Sequence, residues 1–320
     1  MSGMEDNGSL LAICIPTYNR AEILDEALTD LIPKIKRFNF NIVISDNAST
    51  DNTIEIVEKH KRDYSGIIYY RQECLCEADQ NFEKVLKLGA DHSEYMWLLG
   101  DAYRIINEEI DRIIKILQKI EYHAIIVNAF DRITQVESKE YNSCAELLKE
   151  IGWHMTLMSS LIFYKDLINN AKFKRFYNTN FIQTGIIFEY LNQFVAKAYW
   201  YNKNCVYGTK LSKVGTTWFS ATFKVFAKNW MEFVLSLPFE IPLKVKLFCI
   251  KEHNRQARLF TVGNLLALRK NEWFNLGTYK TYRKYMPYVT NTPRIVIMLI
   301  LIIPSKALKS IWPIRKYIMK

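Results

Sequence analysis

Two short apolar runs near the start of this chain, each cut off by a polar cluster, constrain its fold more than any other feature. Residues 10–15 run to Pro16 and open into Thr17-Tyr18-Asn19-Arg20, and residues 42–44 stop in Ser45-Asp46-Asn47. Runs that are apolar throughout, with no alternation, suit strands buried on both faces, as in parallel sheets. In an open α/β sheet, ligands bind at the carboxyl ends of the strands, beside the helix N-termini that follow. Both polar clusters fall at such ends, so the pattern places them together over one crevice.

The rest of the first half repeats this alternation. Ile23, Leu24, Ala27, Leu28, Leu31 and Ile35 share one face of a helix over residues 21–37. A strand follows at 41–45. Ser49, Thr50 and Asp51 offer caps for a helix reaching residue 63. Strand 67–71, helix 79–90, strand 94–99, helix 107–119 and strand 123–128 complete a doubly wound, mostly parallel, Rossmann-like sheet. The fourth strand ends in Gly100-Asp101-Ala102-Tyr103, a third polar cluster at a strand end.

CIPTYNR, then SDNASTD about thirty residues on, then EYMWLLGD after another fifty, resemble the inverting glycosyltransferases of family 2, with the GT-A fold. The resemblance covers roughly residues 10–120, with an echo at residues 158–164, and is strongest to bacterial O-antigen and capsule transferases of the abequosyltransferase-like group. It implies transfer of a sugar from a nucleotide-sugar donor to a hydroxyl of a glycan or lipid-linked glycan acceptor. Residues matching Thr17, Tyr18 and Asp46 hold the nucleotide in that family. Tyr18 suits stacking on a base, and Asp46 suits accepting from a base N–H or a ribose hydroxyl. The same residues have a plainer reading, with Thr17 and Asn19 capping the first helix and Asp46 and Asp51 the second. The donor-binding set is Pro16, Thr17, Tyr18, Arg20, Asp46, Asn47, Arg71, Asp101, Tyr103 and Arg104.

The resemblance also implies a divalent cation, Mg or Mn, ligated at an Asp-x-Asp site. Here Asp101 takes the first place and Tyr103 stands where the last, metal-ligating Asp belongs. A phenol is a poor ligand for a hard cation. Either Asp101 and the donor phosphates hold a metal, or the site works without one and Arg20, Arg71 or Arg104 neutralises the leaving diphosphate. Inverting transfer also needs a general base. Residues 151–200 contain two carboxylates, Asp166 and Glu189. Glu189, in a helix-like run, is the preferred base, with Asp166 read as a helix cap. His154, Gln183 and Asp131 are the other polar candidates.

Charge separates the two halves. Residues 1–150 carry net −10 and residues 151–320 net +20, and no acidic residue follows Glu272. A surplus of this size points to an anionic partner. The tail's apolar run, residues 295–303 between Pro293 and Pro304, favours a membrane surface over nucleic acid. Nine apolar residues are too few to span a bilayer, which needs about 20. Arg283, Lys284, Arg294, Lys306, Lys309, Trp312, Arg315 and Lys316 flank the run, as in a monotopic surface element. A core helix packed on the catalytic domain is the other reading.

The six cysteines have no disulfide-framework spacing, and Cys74-x-Cys76 lacks nearby His or Cys partners for a metal. No signal-peptide pattern opens the chain, so the sequence predicts a cytoplasmic protein peripheral to the inner face of the membrane. The scarcity of acids in the second half speaks against glycan hydrolysis by paired carboxylates. The predicted organisation is a nucleotide-sugar half (1–128), an acceptor half (129–235) and a basic helical region (236–320). A non-catalytic scaffold that keeps the crevice is the alternative from a different class.

Overall fold

The computed structural model describes residues 8–209 and 220–310. These fall into two compact units, Met1–Val214 and Gly215–Lys320. In the first unit the expected alternation is present: β1 (Ser9–Thr17), α1 (Ala21–Ile35), β2 (Asn41–Asp46), α2 (Thr53–Asp63), β3 (Ile67–Arg71), α3 (Ala78–Ala90), β4 (Ser93–Leu98), β5 (Tyr103–Ile105), α4 (Asn107–Leu117) and β6 (Ala124–Ala129). It continues with β7 (Lys139–Tyr141), α5 (Cys144–Glu150), β8 (Leu161–Tyr164), α6 (Lys165–Asn170), α7 (Ile182–Gln193) and β9 (Ala198–Gly208).

One sheet takes all nine strands, in the order β3-β2-β1-β4-β8-β6-β9-β5, with β7 on β9. The β3-β2-β1-β4 part is parallel throughout. β8 runs antiparallel between β4 and β6, so β4 and β6 point the same way. The carboxyl ends of β1, β2, β4 and β6 therefore open on one edge.

The core lies on both faces of this sheet. Ile13, Ile42, Ile44 and Trp97 pack with the inner faces of α1 and α4 (Leu24, Leu28, Ile110, Leu117). On the other face, α3 approaches closely because Gly89 has no side chain. A Cβ there would fall 2.6 Å from the Met96 Cγ and 2.7 Å from the Cys14 Sγ.

The second unit is helical. A π-helical turn (Phe223–Asn229) runs into α8 (Trp230–Ser236), followed by α9 (Leu243–Ala257), α10 (Val262–Lys270), α11 (Leu276–Tyr282), α12 (Met286–Val289) and α13 (Arg294–Ile302). α13 contains the apolar run. It buries Ile297 and Ile300 but leaves Ile295, Met298, Leu299 and Ile302 exposed. A cleft lined by Arg283, Thr290, Thr292 and Arg294 opens beside it. Among the described residues, no helix is long and apolar enough to cross a membrane. Trp312, Arg315 and Lys316 lie outside the described residues.

Candidate functional site

Thr17 and Asp46 end their strands directly opposite one another in the β1–β2 register. The Asn47 N–H donates to the Thr17 carbonyl at 3.0 Å, which draws the two loops together. Asp46 is almost fully buried. Its carboxylate accepts from the Ser49 N–H at 2.9 Å and the Tyr69 hydroxyl at 2.7 Å, with Arg71 Nε at 3.9 Å. Arg71 also donates to the Ser49 carbonyl. Two acceptors used out of about four lone-pair sites leave Asp46 capacity for a further donor. The Asn47 side-chain amide grips the Cys76 backbone, its Oδ1 accepting from the Cys76 N–H and its Nδ2 donating to the Cys76 carbonyl. Pro16 pairs in register with Ser45, and Tyr18 is exposed beside them, with its ring free to stack.

The loops after β1 and β2 cap one another, and Asp51 also caps its own helix as the plainer reading has it, accepting the first N–H of α2, on Thr53, at 3.2 Å. The first N–H of α1, on Ala21, donates to Asp51 of the other loop at 2.9 Å. Asn19, left-handed at φ 50°, accepts the Thr50 N–H. Thr17 caps nothing, since its hydroxyl donates to Asp101 at 3.2 Å. Asp166 is not a cap either. It lies in the first turn of α6 and accepts from Tyr190 and Asn170.

Asp101 follows β4 and is buried, with Arg20 Nη1 at 2.6 Å from its carboxylate. Burial pushes this carboxyl above its usual range, while Arg20 and Thr17 pull the other way. Arg20, Thr17 and Asp101 thus form one cluster from two strand ends. Tyr103 folds back so tightly that a Cβ on Gly100 would meet its ring at 2.8 Å. Its other side meets Phe130 edge-on at 5.8 Å. Burial pushes the phenol up, which opposes the ionisation an anionic ligand needs. Arg104 turns away from the crevice. Its guanidinium donates to the Asp101 and Tyr103 carbonyls and lies 3.8 Å from Glu26 of α1, which makes it a brace for the loop.

The donors around Asp101 suit a divalent cation poorly. The Asp101 carboxylate is already paired with Arg20, and burial opposes ionisation of the neighbouring Tyr103 phenol.

The base candidates are scattered. Glu189 is buried on α7, ion-paired to Arg175, with Lys172 at 3.7 Å and Gln193 donating at 2.6 Å. Taking up an acceptor proton there first requires breaking those pairs. His154 is fully buried, its Nε2 at 3.0 Å from the Val127 carbonyl, and burial pushes it down to about 3, so it is neutral at ordinary pH. Gln183 is buried, with its amide oxygen lacking a hydrogen bond among the described residues. Asp131 is exposed in the turn after β6, left-handed at φ 49°, with no ion pair among the described residues.

Three further residues shape the site. Tyr69 orients Asp46. Asp79 holds the backbone of residues 178–180. Arg132 follows β6, on the same edge as Thr17, Asp46 and Asp101. Applying the strand-end rule to the fifth predicted strand (123–128) would have found Arg132. Nothing in the spacing of Asp79 announced its partners a hundred residues away.

The sequence profile described as "Glycosyl transferase family 2" matches residues 12–191. Abequosyltransferase RfbV of Salmonella typhimurium is 40% identical over 94 residues, 28% of this chain and 27% of that protein. Chondroitin synthase of Pasteurella multocida is 38% identical over 63 residues, 20% of this chain and 6% of that protein. The matched segment thus spans about a quarter or less of these relatives' length. Among solved structures, S. aureus TarS 1–349 with UDP-GlcNAc superposes with a TM-score of 0.58 at 15% identity, covering 90% of this chain and 82% of that one. The Pyrobaculum calidifontis mannosyltransferase PcManGT, solved with GDP-Man and Mn2+, gives 0.53 at 14% identity, over 96% and 88%. The parallel β3-β2-β1-β4 part, the strand-end crevice and the profile match over more than half its length place this chain in glycosyl transferase family 2, with the GT-A fold.

Proposed function

We propose that this chain transfers a sugar from a nucleotide-sugar donor to a hydroxyl of a bacterial surface glycan, with inversion at the sugar carbon. The observation that carries this reading is the convergence of Thr17, Asp46 and Asp101 at three neighbouring strand ends. Tyr18 stacks on the base, Asp46 accepts from base or ribose, and Asp101 with Thr17 and Arg20 faces the ribose and diphosphate. The acceptor oxygen forms a bond to the anomeric carbon as the bond to the diphosphate oxygen breaks. The electron pair leaves with the diphosphate, and the hydroxyl proton passes to a carboxylate. Asp131 is the base the geometry favours, since it is exposed in the turn after β6 with no ion pair among the described residues, whereas Glu189 is tied to two cations.

A lipid-linked acceptor at the cytoplasmic membrane face fits the second unit. The exposed face of α13 and the cleft holding Arg283 and Arg294 suit acyl chains and anionic headgroups.

The test is release of nucleoside diphosphate from UDP-, GDP-, CDP- and dTDP-sugars, with lipid-linked glycan extracts as acceptors. Turnover with one donor class is expected. Asp131→Asn should lower kcat by about 10²–10⁴-fold with little change in donor KM, while Glu189→Gln keeps turnover. The reverse pattern would return the base to Glu189. Donor binding without turnover under any acceptor would favour a scaffold protein.

A further inference from the structure

The residues around Tyr103 suit a metal for the diphosphate of a bound donor poorly, yet they bring a cation to the same place. Arg132 sits at the turn after β6, on the crevice edge. This turn and the loop carrying Asp101 and Tyr103 hang on the same strand. β5 pairs with Val206–Gly208 of β9, and the Phe130 N–H donates to the Val206 carbonyl at 3.0 Å. That shared anchor presses Phe130 against Tyr103 and sets Arg132 within electrostatic reach of the phenol. Phe130 and Asp131 are both left-handed, at φ 58° and 49°. Such a conformation costs free energy in non-glycine residues and persists where surrounding contacts impose it. Here the Asn128 side chain imposes it, donating to the carbonyls of Ile133 and Asn202.

Arg132 places its guanidinium carbon over the Trp153 ring, 4.5 Å from the centroid. It has no side-chain hydrogen bond and no ion pair among the described residues, in contrast to Arg20, Arg71 and Arg104. Stacking on an aromatic face leaves the N–H edge of a guanidinium available for a planar, bidentate anion. Burial lowers the Arg132 pKa to about 10, and the group remains charged at neutral pH. A half-buried cation with no ion pair among the described residues gains from an anionic ligand that completes its hydrogen bonds.

Resting on the donor-site reading above, we infer that Arg132, together with Arg20, binds the diphosphate of the nucleotide donor and takes the place of a divalent cation. The site then needs no added metal to hold the leaving group. A second positive ion beside Arg20 and Arg132 would be repelled, which agrees with the poor fit of the donors around Asp101 to a metal.

Calorimetric titration of the full chain with each nucleoside diphosphate and its monophosphate, in EDTA and then in Mn2+, tests this. One diphosphate is expected to bind in EDTA at least tenfold tighter than its monophosphate. Arg132→Gln should remove about ten- to hundredfold of diphosphate affinity while leaving monophosphate affinity unchanged, which also shows that the variant is folded. Tyr103→Asp keeps the arginine but sets a carboxylate beside it, and should shrink the same margin in EDTA. A margin that needs Mn2+, or that survives both substitutions, overturns the inference and leaves the donor-site reading standing. No nucleotide binding in either condition overturns both.

Discussion

Asp79 stands in the first turn of α3, 4% exposed, with the Asn180 N–H 3.4 Å from its carboxylate. Burial raises it to about 6, against the pull of backbone N–H groups at residues 178–180. An unfolded Asp titrates near about 3.9, so between about pH 4 and pH 6 the folded chain keeps a proton that the unfolded chain has lost. Stability is therefore greatest below the unfolded value and falls as pH rises through the folded one. By linkage the loss is at most about 3 kcal/mol at neutral pH. Asp79→Asn keeps an acceptor for the Asn180 N–H without the charge. It should flatten this slope and stabilise the chain by about 1–3 kcal/mol at pH 7.5, read from urea denaturation at pH 5 and pH 7.5. A steeper loss in the variant would show that the ionised form is the one the loop prefers.

At the scale of elements, what could be read from the sequence is what local periodicity records. β1 through β4 and α1 through α4 lie where apolar spacing put them, with several predicted ends coinciding and the others displaced by one or two residues. Thr17, Asp46 and Asp101 meet because parallel strands deliver their carboxyl ends to one edge, a rule that needs no long-range information. The insertion of β8 between β4 and β6 was not legible, because LIFY records only that it is apolar and says nothing of which strands it joins. The pairing of Arg20 with Asp101, 81 residues apart, and the turning of Arg104 toward α1 depend on the loop's path in space. Gly89 likewise reads as a weak point in a helix, although it sets the distance between α3 and the sheet. Gly89→Ala should cost about 1–3 kcal/mol through displaced packing at Met96 and Cys14, seen as a lower melting temperature. An unchanged melting temperature would mean that α3 can move outward freely.

Across the whole chain, residues 1–150 carry net −10 and residues 151–320 net +20, so the positive surplus begins within the later part of the first unit and continues through the helical second unit. If α13 lies on a membrane, full-length protein should sediment with vesicles containing phosphatidylglycerol and much less with neutral phosphatidylcholine, and salt should weaken the association. Leu299→Asp with Ile302→Asp alters only exposed positions, so folding should be kept while vesicle binding falls at least about tenfold. Equal vesicle binding by this variant would show that α13 is not the surface that meets the membrane.

The tie between Asn47 and Cys76 has a practical consequence. Cys14, Cys205 and Cys249 are buried and their thiols are held protonated, whereas Cys74 is exposed two residues from the backbone that Asn47 grips. A fluorophore attached by maleimide would react first at Cys74, with no engineered residue needed. Its emission would then report occupancy of the crevice in real time, giving association and dissociation rates for any nucleotide before a single acceptor has been identified.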